Sequence, residues 1–170
     1  MKVLHIITGL NKGGAETLLC NLCEYDNQFK HTIISLSDIH DLELSFSKKN
    51  IKVFSLNFPD GKIKISGIYK LYRLIKKLNP DVVQTWMIHA DMIGGIVARL
   101  AGVNNIFWSV HYTNLVKGKS KRLTILLTKI NAFLSYFISS WALRKEYVKV
   151  RSARIFLIMN FYKVLNSLET

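Results

Sequence analysis

Short apolar segments alternate with longer segments of helical periodicity along most of this chain. The short segments predict five strands, at 2–8, 31–36, 51–56, 81–86 and 105–110. The intervening segments place apolar residues three and four positions apart, which is typical of helices with one buried face. Helices are therefore expected after the first strand, at 38–49, over the stretch that ends at 78, and at 89–101. This alternation predicts an α/β fold with a doubly wound parallel sheet, similar to a Rossmann domain.

Topology indicates where such a sheet would bind a ligand. Right-handed crossovers predict the strand order 3-2-1-4-5, in which the chain reverses direction between strands one and four. Ligands bind at that switch point, beyond the carboxyl ends of the strands. The residues expected there are Gly13 and Gly14, the segment 86–91, and His111 after the fifth strand.

The glycine-bearing turn after the first strand does not match either of two common phosphate-binding loops. Gly9 and Gly14 have the spacing of a P-loop, but Ala15 and Glu16 follow where that loop needs lysine and then serine or threonine. The dinucleotide fingerprint fails because Asn11 replaces its second glycine. A nicotinamide or flavin site stays open as an alternative, with Asp38 as its ribose-binding acid. Glu16 is interpreted as a helix-capping acid that the helix dipole favours, or as an ordinary first-turn acid.

The first predicted helix buries one face that carries Ala15, Leu18, Leu19 and Leu22, and it also contains a C-x-x-C pair, Cys20 and Cys23. Redox pairs usually lie at a helix N-terminus, whereas these cysteines lie about two turns inside. The chain has no second ligand pair spaced for zinc, so no metal site is predicted. Two structural cysteines in a reducing cytoplasm are expected, and the N-terminus enters a strand with no signal-peptide pattern.

The hydrophobic content and the net charge of the chain indicate which classes of partner to expect. With 170 residues, 49% of them hydrophobic, the chain is long and apolar enough for a folded domain. Its net charge of +13 predicts attraction to anionic surfaces. The sequence shows no nucleic-acid-binding signature, so anionic lipid is the preferred partner and an ordinary basic surface is the alternative.

A basic cluster and an apolar stretch follow the last predicted strand. The cluster consists of Lys117, Lys119, Lys121 and Arg122, and the stretch runs over 123–143. Lys129 and Asn131 lie inside that stretch and would be costly in a membrane-spanning helix. A core helix and an amphipathic helix on a membrane surface are the two interpretations that remain.

Three stretches carry a family resemblance: GLNKGGAETLLCNL, PDVVQTWMIHADMIGGIVARLAGV and IFWSVH. Together they resemble the N-terminal domain of family-4 glycosyltransferases with the GT-B fold, over roughly residues 1–138, with a divergent helical and apolar tail at 139–170. In such enzymes the first Rossmann-like domain binds the acceptor and the second binds mainly the nucleotide-sugar donor. The resemblance implies retaining transfer from a UDP- or GDP-sugar, in cell-surface polysaccharide or glycolipid synthesis. It also implies a cytoplasmic protein, peripheral on the inner membrane face, with no tightly bound cofactor.

The resemblance also implies roles for individual residues. Gly13 and Gly14 form the loop that approaches the donor phosphate, and His89 is the catalytic candidate, as a ligand of the acceptor hydroxyl. Its alternative is a helix-capping histidine. Trp86 stands where many relatives have a histidine that lines the acceptor pocket. Asp91 and His111 are candidate ligands for sugar hydroxyls.

The donor-binding domain of the family has no counterpart in this sequence. The chain is therefore expected to be a truncated single GT-B half that is inactive alone and acts with a donor-domain chain in trans on a sugar or lipid-linked acceptor. A non-catalytic sugar- or partner-binding module, a truncated gene product and an unrelated nucleotide binder remain as alternatives.

Overall fold

The fold consists of five strands and three helices in the described part of the chain. The computed structural model describes residues 1–11, 13–37, 46, 51–58, 64–109, 130–131 and 133–134. Its elements are β1 (Lys2–Ile7), α1 (Gly14–Tyr25), β2 (Lys30–Ser35), β3 (Lys52–Ser55), α2 (Ile65–Leu78), β4 (Val82–Trp86), α3 (Ile88–Leu100) and β5 (Ile106–Ser109). These bounds agree with the predicted strands and helices to within about two residues. The predicted helix at 38–49 lies outside the described residues except for Phe46, which is helical and buried.

The sheet has the order β3-β2-β1-β4-β5, and every neighbouring pair is parallel. This confirms the predicted doubly wound α/β topology. At the carboxyl end of β1, Ile7 lies opposite Ser35 of β2 and Trp86 of β4. The chain reverses direction between β1 and β4, so the switch point lies where these two strands end.

Successive side chains of each strand point to opposite faces of the sheet, so the hydrophobic core has one part on each face. On one face, Leu4, Ile6 and Val83 pack against α2 and α3. On the other face, Ile7 and Trp86 pack with Leu19 and Cys23 of α1. Both faces of the sheet are thereby covered, as its parallel strands require.

The buried face of α1 differs from the prediction. Leu18 and Leu22 are 38% and 36% exposed. The buried positions are Ala15, Glu16, Leu19 and Cys23. Residues 15, 19 and 23 recur every four positions, so they form a single row on the helix surface. Leu18 and Leu22 lie about 100° and about 60° around the helix from the centre of that row and are more exposed.

The end of α2 confirms the stop signal predicted from Asn79 and Pro80. Asn79 adopts a left-handed conformation with φ of 44°, and its N–H donates to the carbonyl of Ile75. Asparagine tolerates this conformation better than most residues, and proline cannot continue a helix.

Part of the segment after β5 packs against this fold. Residues 130, 131, 133 and 134 are helical, and the buried Asn131 donates from Nδ2 to the carbonyl of Ile88 at 2.8 Å. Leu134 packs against the core on the α2 and α3 side, whereas Ile130 and Phe133 are exposed. The predicted basic cluster at 117–122 lies outside the described residues. Within the part of the chain that the structure describes, no helix combines the length and the apolar character needed to cross a membrane.

Candidate functional site

The turn from β1 into α1 forms one side of the switch point. Gly13 is the N-cap of α1, and its carbonyl accepts a hydrogen bond from the Thr17 hydroxyl at 2.7 Å. A Cβ at Gly13 would collide with the carboxylate of Glu16, which folds back over it. A Cβ at Gly14 would meet nothing within 4 Å, because Gly14 faces open space. The obstacle at Gly13 is thus the end of a flexible side chain that can shift, and the packing gives no reason for glycine at Gly14.

Glu16 is 6% exposed and lies in the first turn of α1. The unpaired N–H groups of that turn carry the positive end of the helix dipole, which favours a carboxylate. This position fits both predicted roles of Glu16, a helix-capping acid and an ordinary first-turn acid.

The turn from β4 into α3 forms the other side and has an unusual backbone. Met87, the N-cap of α3, has φ of 73° and ψ of 155°, a combination that non-glycine residues rarely adopt. Its N–H donates to the carbonyl of Ser109 at 3.4 Å, and its carbonyl accepts from the N–H of Asp91 at 2.8 Å. These bonds hold the turn in place, and His89 is exposed two residues later in the first turn of α3.

Asp91 points into the core on the α2 and α3 side of the sheet. It is 1% exposed, and its Oδ1 lies 2.6 Å from the Thr85 hydroxyl. That hydroxyl also lies 3.3 Å from the carbonyl of Phe107, and Oδ2 of Asp91 has no hydrogen-bond partner among the described residues. Burial raises the pKa of Asp91 well above its ordinary value, although the Thr85 hydrogen bond opposes the shift. A protonated Asp91 can donate to Thr85 while Thr85 donates to Phe107, which ties α3 to β4 and β5.

Trp86 points into the core on the opposite face. It is 2% exposed, and its indole N–H donates to Nδ1 of His5 at 3.2 Å. Gly14 and His89 are thus exposed at the edge of the sheet where the strands end, and Gly13 is half-buried beside them. Trp86 and Asp91 instead point into the core, on opposite faces of the sheet. His111, like the alternative ribose ligand Asp38, lies outside the described residues.

Sequence reasoning missed a buried histidine pair beneath Trp86. Nε2 of His5 lies 3.0 Å from Nδ1 of His31, and the two rings are inclined by 22° with centroids 5.2 Å apart. Burial, followed by the neighbouring His31, lowers the pKa of His5 from its ordinary 6.5 to about 3. The signal was the even spacing of Val3, His5 and Ile7, which places His5 on a core-facing row of β1.

Cys23 brings a third potential metal ligand to this pair, since its Sγ and one nitrogen of each histidine lie within 4.8 Å of one another. A metal ion needs an unprotonated nitrogen from each histidine. The indole N–H is only a donor, so it occupies the lone pair of His5 Nδ1 and leaves the proton on Nε2, which faces His31. The three residues therefore fit a hydrogen-bonded core and not a metal centre.

Solved structures with the same fold include glycosyltransferases. MurG from Acinetobacter baumannii is 15% identical, with a TM-score of 0.54, and the match covers 76% of this chain and 39% of that one. The apo form of the lipopolysaccharide outer core galactosyltransferase WaaB is 20% identical, with a TM-score of 0.52, and the match covers 75% of this chain and 37% of that one. This chain thus spans about two fifths of the length of either neighbour. At these identities the likeness shows the fold, which is the Rossmann-like α/β fold of a GT-B half.

The sequence itself gives the family. No curated protein matches the chain. The model of Glycosyltransferase Family 4, however, matches residues 12–161, which is most of the length of this chain. The match includes Gly13, Gly14, Trp86, His89 and Asp91. The chain belongs to glycosyltransferase family 4.

Proposed function

We propose that the chain is the acceptor-binding half of a retaining glycosyltransferase that uses a nucleotide sugar. The observation that carries the proposal is the open switch point, where Gly14 and His89 are exposed beyond the carboxyl ends of adjacent strands. Open α/β sheets bind their ligands at this position. Family membership supports glycosyl transfer as the reaction class, and the galactosyltransferase among the structural neighbours supports a role in cell-surface polysaccharide or glycolipid synthesis.

His89 is proposed to bind a hydroxyl of the acceptor sugar. A neutral imidazole offers one donor and one acceptor, which matches the two capacities of a hydroxyl group. The side chain is exposed at the second position of α3, whose start is fixed by the hydrogen bonds of Met87. His89 therefore presents its ring from a well-held backbone.

Gly14 is proposed to leave room for the diphosphate of the donor. The first N–H groups of α1 have no partner inside the helix, and with the helix dipole they favour an anion at this end. The absence of any atom within 4 Å of a Cβ built at Gly14 means that a ligand could approach the backbone there. Stabilising the leaving diphosphate also needs cationic groups, which we assign to a separate donor-binding domain.

Replacing His89 with alanine is expected to weaken acceptor binding by roughly 2- to 13-fold, the equivalent of one hydrogen bond of about 0.5–1.5 kcal/mol. The measurement is calorimetric titration of the full chain with lipid nanodiscs that carry a polyprenyl-diphosphate-linked hexose. Lys70→Ala, an exposed substitution on α2, is the matched control and should bind like the parent. Unchanged affinity of His89→Ala would remove this residue from the proposed site, and a strongly lowered melting temperature would make it structural.

We further propose that the segment containing residues 130–134 rests on an anionic membrane. Asn131 holds this helical segment to α3, while Ile130 and Phe133 are exposed to 38% and 67%. Exposed apolar side chains on a helical segment are typical of helices that lie in the membrane interface. The net charge of +13 adds a long-range attraction to anionic lipid.

Phe133→Ser is expected to reduce binding to anionic vesicles by up to roughly tenfold, because it removes a side chain that inserts its apolar surface. Co-sedimentation with anionic and with neutral vesicles, at low and at high salt, measures the loss. High salt should weaken binding of the parent without abolishing it, since salt screens charge but not apolar insertion. Ile65→Ser, at an 85% exposed position on α2, is the control and should bind like the parent. Equal, negligible binding to both lipids would refute the membrane proposal.

A further inference from the structure

A cavity of about 350 Å³ lies at the edge of the sheet where β4 and β5 begin, opposite the switch point. The end of α2, the connection from α2 to β4 and the connection from α3 to β5 line it. Its volume is at the lower end of the range for small-molecule sites. None of its lining residues belongs to the proposed acceptor site, which lies where the strands end.

The inner wall of the cavity is apolar. Ile75 of α2 lines it together with Ala101 and Val103, which follow α3. All three are buried and belong to the core between the sheet and these two helices. This wall can therefore contact a flat apolar face of a small ligand.

The rim of the cavity is polar. It combines amide, carboxylate and ammonium groups, which together offer both hydrogen-bond donors and acceptors. Four of these side chains are exposed and one is half-buried. They are Lys76, Asn79, Asp81 and Asn104, which are exposed, and Asn105, which is half-buried.

Hydrogen bonds within the chain hold two of the rim residues in place. The backbone N–H of Lys2 donates to Oδ2 of Asp81 at 2.7 Å, and Nδ2 of Asn105 donates to the carbonyl of Asp81 at 3.1 Å. Nη1 of Arg99 lies 3.4 Å from Oδ1 of Asn104. Among the described residues, Oδ1 of Asp81 and Nδ2 of Asn104 keep their hydrogen-bonding capacity for a ligand.

The charges around the cavity balance, although the chain as a whole carries a net charge of +13. Among the described residues that line it, Lys76 is the cation and Asp81 is the carboxylate. Lys77 and Arg99 lie in the last turns of α2 and α3, where they offset the negative ends of the two helix dipoles. Because neither sign is in excess, a neutral ligand fits this cavity better than a phosphate or a nucleotide.

We propose that this cavity binds a neutral sugar in its pyranose form. A pyranose ring has an apolar face of C–H groups, which matches the inner wall, and a border of hydroxyl groups, which matches the rim. Oδ1 of Asp81 accepts from one hydroxyl group, and Nδ2 of Asn104 donates to another. This second sugar site lies at the opposite edge of the sheet and does not rest on the proposed acceptor site.

The test is a titration of the full ¹⁵N-labelled chain with D-galactose, D-glucose and N-acetyl-D-glucosamine, followed by heteronuclear NMR. At least one of these sugars is expected to give saturable shifts of the Gly102, Asn104 and Asn105 amide signals. Glycerol has hydroxyl groups but no ring, and inorganic phosphate is an anion, so neither should reproduce them.

Three results of this titration would overturn the proposal. One is the absence of a saturable shift with all three sugars. Another is an equal response to glycerol or phosphate. The third is a response at the His89 amide without one at Gly102, which would assign sugar binding to the acceptor site alone. Failure of the acceptor site would instead leave the Gly102 response intact.

Two rim variants and one control locate the binding. Asn104→Ala, an exposed loop substitution, should weaken sugar binding by roughly 2- to 13-fold, the effect of one lost hydrogen bond. Asp81→Asn keeps an oxygen for the N–H of Lys2 but exchanges a charged acceptor for a weaker neutral one, so it should also lower the affinity. Lys77→Ala, at an exposed position beside the cavity that does not line it, should bind like the parent. Unchanged affinity in either rim variant, or an equal loss in Lys77→Ala, overturns the proposal.

Discussion

Replacing Trp86 with alanine is expected to lower the free energy of unfolding by roughly 3–5 kcal/mol, the usual cost of truncating a large buried aromatic residue. Trp86 is 2% exposed and packs with Ile7, Leu19 and Cys23 between the sheet and α1. Its removal leaves a cavity and strands the buried acceptor at Nδ1 of His5. Urea unfolding at neutral pH, analysed by linear extrapolation, gives the value.

Trp86→Phe separates the hydrogen bond from the packing. Phenylalanine keeps much of the ring but loses the N–H, so the unsatisfied His5 nitrogen should contribute about 1–3 kcal/mol of the loss. Trp108→Phe is the matched control, because the Trp108 indole N–H has no hydrogen-bond partner among the described residues. It should cost less than Trp86→Phe. A loss of unfolding free energy below about 1 kcal/mol for Trp86→Ala would contradict the burial of this side chain. It would favour the sequence-based prediction that Trp86 lines the acceptor pocket.

Acidification is expected to destabilise the chain through His5. The unfolded histidine takes up a proton near 6.5, whereas the folded one does so only at about 3, so the unfolded state binds more protons between these values. The contribution of His5 to stability is therefore complete above about pH 6.5 and is lost as the pH falls toward 3. The loss should reach roughly 2–3 kcal/mol by about pH 4.5.

His5→Gln is the variant that isolates this effect. Glutamine can accept from the Trp86 indole and donate to His31, but it does not titrate. Asp91 acts in the opposite direction, because its raised pKa makes its burial costly at high pH and less costly as the pH falls. Since both chains contain Asp91, the difference in unfolding free energy between parent and His5→Gln cancels its contribution. As the pH falls from neutral to about 4.5, the unfolding free energy of His5→Gln should therefore rise steadily relative to that of the parent. A difference that does not depend on pH would contradict the buried neutral His5.

The architecture could be predicted from the sequence because local signals agreed with one another. Apolar strands, helical periodicity and stop signals such as Asn79 gave the elements, and the right-handed crossover rule gave the order of the sheet. The face of α1 that packs into the core was predicted incorrectly. Leu18 and Leu22 suggested an apolar face, but packing selected the row that contains Leu19 and Cys23. Helical periodicity does not distinguish two neighbouring apolar rows.

The candidate site was less predictable, since neighbours in the sequence point in opposite directions in space. His89, Trp86 and Asp91 lie within six positions of the chain, yet one is exposed and the other two enter different halves of the core. The strand pleat directs Trp86, and the helical turn after Met87 directs Asp91. His5 and His31 were missed because their partnership arises from the pairing of β1 with β2, and a single histidine in an apolar strand gives no sign of it.

The central claim, that this chain holds the acceptor at its open switch point, is tested most directly by equilibrium binding of the full chain to nanodiscs carrying a polyprenyl-diphosphate-linked hexose. The account predicts saturable binding that sugar-free nanodiscs do not reproduce. It also predicts no release of nucleotide from UDP- or GDP-sugars above a heat-killed control, because the cations for the leaving diphosphate are assigned to a separate domain. Gly14→Ala should fold as well as the parent, since its Cβ would enter open space. Equal affinity for nanodiscs with and without the linked sugar, or turnover by the chain alone, would contradict the account.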